Sequence, residues 1–169
     1  MLETERLILR PLTYEQLLKY LRVDNSLETE LNLKENSRTI SAELREALEQ
    51  TILPNVADTN KNYLYNTLWT IISKSDRKMV GDLCIIGEPN NDGEIEIGYG
   101  IYEEFQNKGF MTEALGKIIK WAGEQPKVIS IIASTNKDNA ASFSVLKKNN
   151  FIKTGETETL FNWKLFVEK

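Results

Sequence analysis

The hydrophobic positions fall into short alternating runs separated by two clear helical stripes. Leu7 and Leu9 alternate with Arg6 and Arg10, which predicts a first strand over 5–10, stopped by Pro11. Thr13 is placed to cap a helix over 14–22, with Leu17, Leu18 and Leu21 as its apolar stripe. Ser41-Ala42-Glu43-Leu44 opens a second helix that runs to about Leu53 and is halted at Pro54. The stretches 24–40 and 55–65 are polar, show no period and are assigned no element. Strands follow over 67–73 and 79–86, turned by Ser75-Asp76-Arg77. Over 94–102, Ile95, Ile97, Tyr99 and Ile101 share one face, and Glu94, Glu96, Gly98 and Gly100 the other.

Met111, Ala114, Leu115, Ile118, Ile119 and Ala122 recur at helical spacing and predict a helix over 110–123, ended by Pro126. The run 127–133 is almost continuously apolar and β-branched, the pattern of a strand buried on both faces. A helix over 139–148 and strands near 151–154 and 159–167 complete the chain. The order β-α-α-β-β-β-α-β-α-β-β places the protein in the α/β class. Its strand–helix–strand unit at 94–133 predicts two parallel strands joined by a right-handed crossover.

With 169 residues, no repeat and only the short turn 87–93 dense in Gly, Pro and Asn, the chain reads as one domain over 1–169. It contains no histidine and one cysteine, Cys84. That removes Ser-His-Asp and Cys-His centres, histidine-ligated zinc or iron, cysteine-only metal clusters and internal disulfides, so no metal site is expected. The formal charge of −4 supplies no whole-molecule field for nucleic acid. No run approaches the roughly 20 apolar residues of a membrane span. The acidic start at Glu3 and Glu5 lacks the form of a secretion signal, so a cytoplasmic setting is expected.

The most informative segment is 104–114, where strand 94–102 passes into helix 110–123. A helix start offers unpaired N–H groups and the positive end of the dipole, Gly109 permits close approach, and Lys108 adds charge. Alone, this also describes an ordinary strand-to-helix connection. In context, Gln106, Gly109 and Met111 occupy the defining places of the Gln/Arg-x-x-Gly-x-Gly/Ala pattern of the GCN5-related N-acetyltransferases. The stretch from Asn136 to Phe151 resembles that family's Asn-x-x-Ser-x-x-x-Leu-x-Lys-x-Gly-Phe helix. The opening from Glu3 to Leu12, and Glu96-Ile97-Gly98-Tyr99, are similar to the ribosomal-protein N-terminal (alanine/serine) acetyltransferase branch. The resemblance spans about 2–153.

This resemblance implies a mixed, twisted central sheet with helices on both faces and a cleft between two splayed parallel strands. It implies acetyl-CoA as co-substrate, its pyrophosphate on the backbone N–H groups of Asn107, Lys108, Gly109, Phe110 and Met111, with Gln106 opening the loop. The pantetheine arm would pair along Tyr99, Ile101 and Tyr102, with Asn139 contacting it and Ser142 near the thioester. The acceptor is a primary amine, a protein N-terminus or a small molecule, and the chain a monomer or homodimer with no nucleic-acid or membrane partner. Three positions depart from the family: Met111 replaces a small residue, Asn150 a glycine, and Leu146 the tyrosine that many members use to protonate the departing thiolate.

An amine attacks only when neutral, which calls for a base. Glu96 is the first candidate, although its position also suits a solvated glutamate on a half-exposed sheet; Glu94 ranks lower. A bulge in strand 94–102 at Gly98 or Gly100 could free N–H groups for the oxyanion. Ser142 is the candidate acid, with capping or cofactor contact as its other reading, and Tyr99 or Tyr102 as alternatives. Cys84 reads as a small buried hydrophobe, so transfer is expected to be direct, in a ternary complex. The alternative function is a non-catalytic acyl-CoA-binding or sensor domain. Nucleotide-binding glycine fingerprints are absent.

Overall fold

The computed structural model describes residues 1–169. Eight strands form one sheet: β1 (Leu2–Glu3), β2 (Leu7–Pro11), β3 (Leu68–Ser73), β4 (Lys78–Ile85), β5 (Glu94–Ile101), β6 (Ser130–Asn136), β7 (Ile152–Glu156) and β8 (Leu160–Phe166). Their spatial order is β1-β2-β3-β4-β5-β6-β8-β7. Only β5 and β6 are parallel; every other neighbour is antiparallel. This is the α/β architecture the pattern predicts.

Alternation sorts the side chains onto two covered faces. Leu7, Leu9, Trp69, Ile71, Leu83, Ile95 and Ile97 join a core closed by α5 (Phe110–Gly123) and α6 (Ala140–Lys148). On the other face Leu68, Ile72 and Met79 pack beneath α1 (Tyr14–Arg22), α2 (Ser26–Glu30), α3 (Ala42–Ala47) and α4 (Leu53–Ala57). Helix α1 starts in a full capping box: the Gln16 N–H donates to Thr13 Oγ1, and the Thr13 N–H to the Gln16 side chain.

Three boundaries differ from the sequence reading. Strand β2 includes Pro11, opposite Trp69: the bonds to β3 fall on even-numbered residues such as Leu12, so the proline nitrogen faces the β1 side, where pairing has ended at Leu9. Pro54 does not halt its helix: a π turn over Leu48–Ile52 joins α3 to α4, and the widened turn places Pro54 in the first turn of α4, where no N–H is needed. Strand β6 begins at Ser130, three residues later than the apolar run. The Ile129 N–H instead bonds the Gly93 carbonyl, and its side chain is 52% exposed. Ser134 and Asn136 are exposed too, since the α1–α4 layer packs on β2, β3 and β4 and on Tyr102 and does not reach β6.

Candidate active site

Strands β5 and β6 share three register pairs, Glu94↔Ser130, Ile95↔Ile131 and Glu96↔Ile132, and then part. Strand β5 stays with β4 through Ile101↔Gly81, while β6 stays with β8 through Asn136↔Leu160. The Trp163 indole N–H donates to Thr135 Oγ1 at 2.9 Å, fastening β6 to β8 where it has left β5. The Glu96 carbonyl accepts from the Ile86 N–H at 2.8 Å and the Tyr102 N–H donates to the Val80 carbonyl at 2.9 Å, so both face β4. By alternation the main-chain groups of Tyr99 and Ile101 face the opening. The bulge expected at Gly98 or Gly100 is absent, because the β4–β5 register is continuous; the free strand edge arises from the departure of β6.

The turn after β5 completes the opening. Asn107 (φ +63°) and Gly109 (φ +77°) are both left-handed, and Gly109 stands at the N-cap of α5 without a side-chain cap. None of the N–H groups of residues 107–112 finds an acceptor within the protein; the first helical donor is the Glu113 N–H, to the Gly109 carbonyl at 3.1 Å. Six unpaired donors therefore sit side by side at the positive end of the helix dipole. It opens into a cleft of about 520 Å³ whose charged lining residues are Lys108 and Lys148, with no carboxylate. In a chain of net charge −4, that is a local concentration of positive potential.

The structure brings Tyr99, Ile101, Gln106, Asn107, Lys108, Gly109, Phe110, Met111, Asn139 and Ser142 together around this cleft. Asn139 caps α6, its Oδ1 accepting from the Ser142 N–H at 3.1 Å. The Tyr99 hydroxyl donates to the Ser142 carbonyl at 2.8 Å, and burial, opposed by the hydrogen bond with Ser142, pushes its pKa up to about 12. Gln106 Nε2 stands 3.5 Å from the Ile101 carbonyl, a long contact. Met111 turns its side chain into the core, so a large residue is accommodated there. Asn150 adopts φ +66° and the Phe151 N–H closes back on the Leu146 carbonyl, which gives the helix end a glycine would give. Leu146 is fully buried in the core.

Two of the expected site residues lie outside the cleft. Glu96 is half-buried on the opposite sheet face, at the last pair before the strands part. Tyr102 is on that same face, where its hydroxyl donates to Asp82 Oδ2 at 3.1 Å beside the Tyr20 hydroxyl at 2.6 Å. Desolvation lifts the Asp82 carboxyl to about 6 despite these two donors. The Arg38 guanidinium lies 4.1 Å from the Tyr20 ring centroid and is paired with buried Glu28. Glu94 is held by Lys164, whose hydrogen bond draws its carboxyl below the ordinary value. Burial pushes the Cys84 thiol up to about 11, with Gly98 and Glu96 nearby on its face.

Sequence reasoning missed Ala141, Ser144, Val145 and Lys148, although they recur at i, i+3, i+4 and i+7 and so form one face of α6. Phe105, Gly100 and Thr112 were missed with no comparable periodic signal.

A splayed parallel strand pair above a glycine-opened helix start is the arrangement that the resemblance to the GCN5-related N-acetyltransferases implies. The acetyltransferase (GNAT) domain family matches residues 6–152, and the chain belongs to that family; it is an N-acetyltransferase of the GNAT kind. A curated relative, an uncharacterized N-acetyltransferase (YjdG) of Bacillus subtilis strain 168, is 28% identical over 169 residues, covering 100% of this chain and 99% of the relative. Among solved structures, a ribosomal-protein-S5-alanine acetyltransferase from Vibrio fischeri superposes with a TM-score of 0.72 at 18% identity, covering 99% and 97% of the two chains. A ribosomal-protein α-N-acetyltransferase, RimL, in complex with coenzyme A gives 0.68 at 17% identity, covering 98% and 96%. Spermidine N-acetyltransferase from Vibrio cholerae, in complex with CoA and spermine, gives 0.66 at 14% identity, with 97% of each chain covered. No helix is long and apolar enough to cross a membrane.

Proposed function

We propose that the β5–β6 cleft binds acetyl-CoA and that the chain, acting as one domain over 1–169 in a cytoplasmic setting, passes the acetyl group directly to a primary amine in a ternary complex. The observation that carries this reading is the row of unpartnered N–H groups at 107–112, continuous with the free edge of β5 at Tyr99 and Ile101. The first suits a diphosphate and the second an extended amide-bearing arm. The donor set fits: amide donors, two lysines and no competing carboxylate.

When bound, acetyl-CoA supplies an activated thioester, so a protein without histidine suffices. The protein's own part is positioning and proton traffic. Alkylammonium groups hold their proton to about 10.4 and α-ammonium groups to about 7.7–8.0, so the acceptor must be deprotonated. Glu96, half-buried where the strands part and free of any ion pair, takes that proton. Ser142 Oγ, 3.4 Å from Tyr99 Oη, returns one to the leaving thiolate. Cys84 takes no covalent role, since its elevated pKa suppresses the thiolate. Names of the structural neighbours point to protein N-termini and polyamines as acceptors of those proteins; for this chain a protein N-terminal amine is the first proposal and a small-molecule amine the second.

The test is acetyl-CoA-dependent thiol release across peptide and small-amine acceptors, alongside thermal unfolding with acetyl-CoA. Absence of stabilisation at high micromolar acetyl-CoA would overturn the cofactor assignment.

A further inference from the structure

We infer that Arg6 is a positioning residue for the anion-binding turn, setting its peptide planes from behind and neutralising the carboxylate in the first turn of α5 that would oppose a diphosphate. This rests on the reading of residues 107–112 as the diphosphate site.

Arg6 approaches the turn from the segment before β2 and is not part of the cleft lining. Its Nη1 donates to the Lys108 carbonyl at 2.9 Å, and its Nε to Glu113 Oε2 at 2.6 Å. The guanidinium carbon lies 4.8 Å from the Phe110 ring centroid. One planar, five-donor group therefore touches residues 108, 110 and 113, which span the bend into α5.

The geometry of the peptide unit turns this contact into a function. A trans peptide holds its C=O and the following N–H antiparallel in one plane. Drawing the Lys108 carbonyl toward Arg6 therefore sends the Gly109 N–H the other way, toward the cleft. Gly109 is left-handed, and a Cβ there would stand 3.4 Å from Arg6 Nη2, so arginine and glycine are fitted to each other.

Electrostatics supply the second half. Glu113 suits the first turn of a helix, yet an unshielded carboxylate there competes with a bound phosphate. Three donors from one short segment turn it outward: Thr4 Oγ1 at 2.5 Å, the Arg6 N–H at 3.0 Å and Arg6 Nε. Burial alone would raise the Glu113 carboxyl, but these bonds and the Arg6 charge hold it below its ordinary value. The pair is half-open to solvent, with side chains 45% and 22% exposed, so its worth lies in orientation more than in stability.

The experiment compares binding of acetyl-CoA with binding of S-acetyl-pantetheine, which lacks every phosphate, by calorimetry and by competition at millimolar concentration. Arg6→Ala is expected to weaken acetyl-CoA by about tenfold, the scale of a lost hydrogen bond to a charged group, while S-acetyl-pantetheine changes by less than about twofold. Adding Glu113→Gln to Arg6→Ala should recover part of the loss. Arg6→Lys, which cannot serve residues 108 and 113 together, should fall between; it carries the test should Arg6→Ala fail to fold. Equal weakening of both donors, or no rescue by Glu113→Gln, overturns the role of Arg6. A wild-type protein that binds both donors equally overturns the diphosphate reading itself.

Discussion

The Tyr99 phenol on β5 donates to the main-chain carbonyl of Ser142 on α6 at 2.8 Å, and Ser142 Oγ stands 3.4 Å from the same phenol oxygen. The β5 and α6 walls of the cleft are thus joined, and the tie leaves the serine hydroxyl beside a phenol that burial keeps protonated. Ser142→Ala is expected to lower kcat by about 10–100-fold with KM for acetyl-CoA nearly unchanged. Tyr99→Phe, which removes one neutral hydrogen bond, should cost about 1 kcal/mol in stability and less in rate. Steady-state kinetics and thermal unfolding of both variants check this.

Glu96→Gln should reduce turnover by about 10²-fold or more, while the Kd for acetyl-CoA stays within about twofold. Glu94→Gln should do little to the rate, because Lys164 already engages that carboxylate. Equal losses at the two positions would argue for a general field effect and against a specific base.

Gly109→Ala places a Cβ on a left-handed residue, at an expected cost of about 1–2 kcal/mol, and in contact with the Arg6 guanidinium. Reduced unfolding temperature together with weaker acetyl-CoA binding is the expected outcome, measured by thermal shift with and without ligand.

Asp82 gives the protein a pH signature unlike that of most carboxylates. Its folded pKa is lifted to about 6 by burial, against about 3.9 in an unfolded chain. The folded state therefore holds the proton more tightly, and the stabilisation from this group is complete below about pH 4 and is lost as pH rises toward 6. Asp82→Asn should abolish that decline: the stability difference between wild type and variant should fall across pH 4–6 by an amount on the order of 2–3 kcal/mol. Denaturant unfolding at stepped pH measures it.

Cys84→Ala should retain turnover within about twofold, and no acetyl group should remain on the protein after release of CoA. Its expected cost is about 1 kcal/mol of packing. Intact-mass analysis after incubation with acetyl-CoA alone provides the check.

What the sequence disclosed followed the range of the signal. Helix α5 spans Phe110–Gly123, as its period predicts, and the Thr13 cap and the left-handed Asn150 are local chemistry visible within a few residues. Strand β6 was displaced by three residues because an apolar run cannot show which of its members will meet the sheet; Ile129 spends its N–H on Gly93. The Tyr20–Asp82–Tyr102 cluster joins residues 62 and 20 positions apart, and no local pattern marks such partners. Arg6 stood in plain view as a charged strand neighbour, but its hydrogen-bond partner at Glu113 lies 107 residues away. The turn at 106–111 was legible because glycine, lysine and a helix start are adjacent in sequence. The splay beside it was legible only through resemblance, since parting strands leave no mark on either one.

That splay has a consequence for where the cleft is controlled. Strand β6 pairs with β8 along seven register positions and with β5 along three, so it is effectively an outpost of the C-terminal hairpin. No residue of β6, β7 or β8 lines the cleft. The Trp163–Thr135 bond and the antiparallel ladder nonetheless tie β6 to that hairpin, and β6 leads directly into α6, the wall of the cleft that faces β5. Strand β6 offers one edge to each neighbour: β8 uses the whole of its edge, β5 only the first three positions, and the cleft opens where that second edge goes unused.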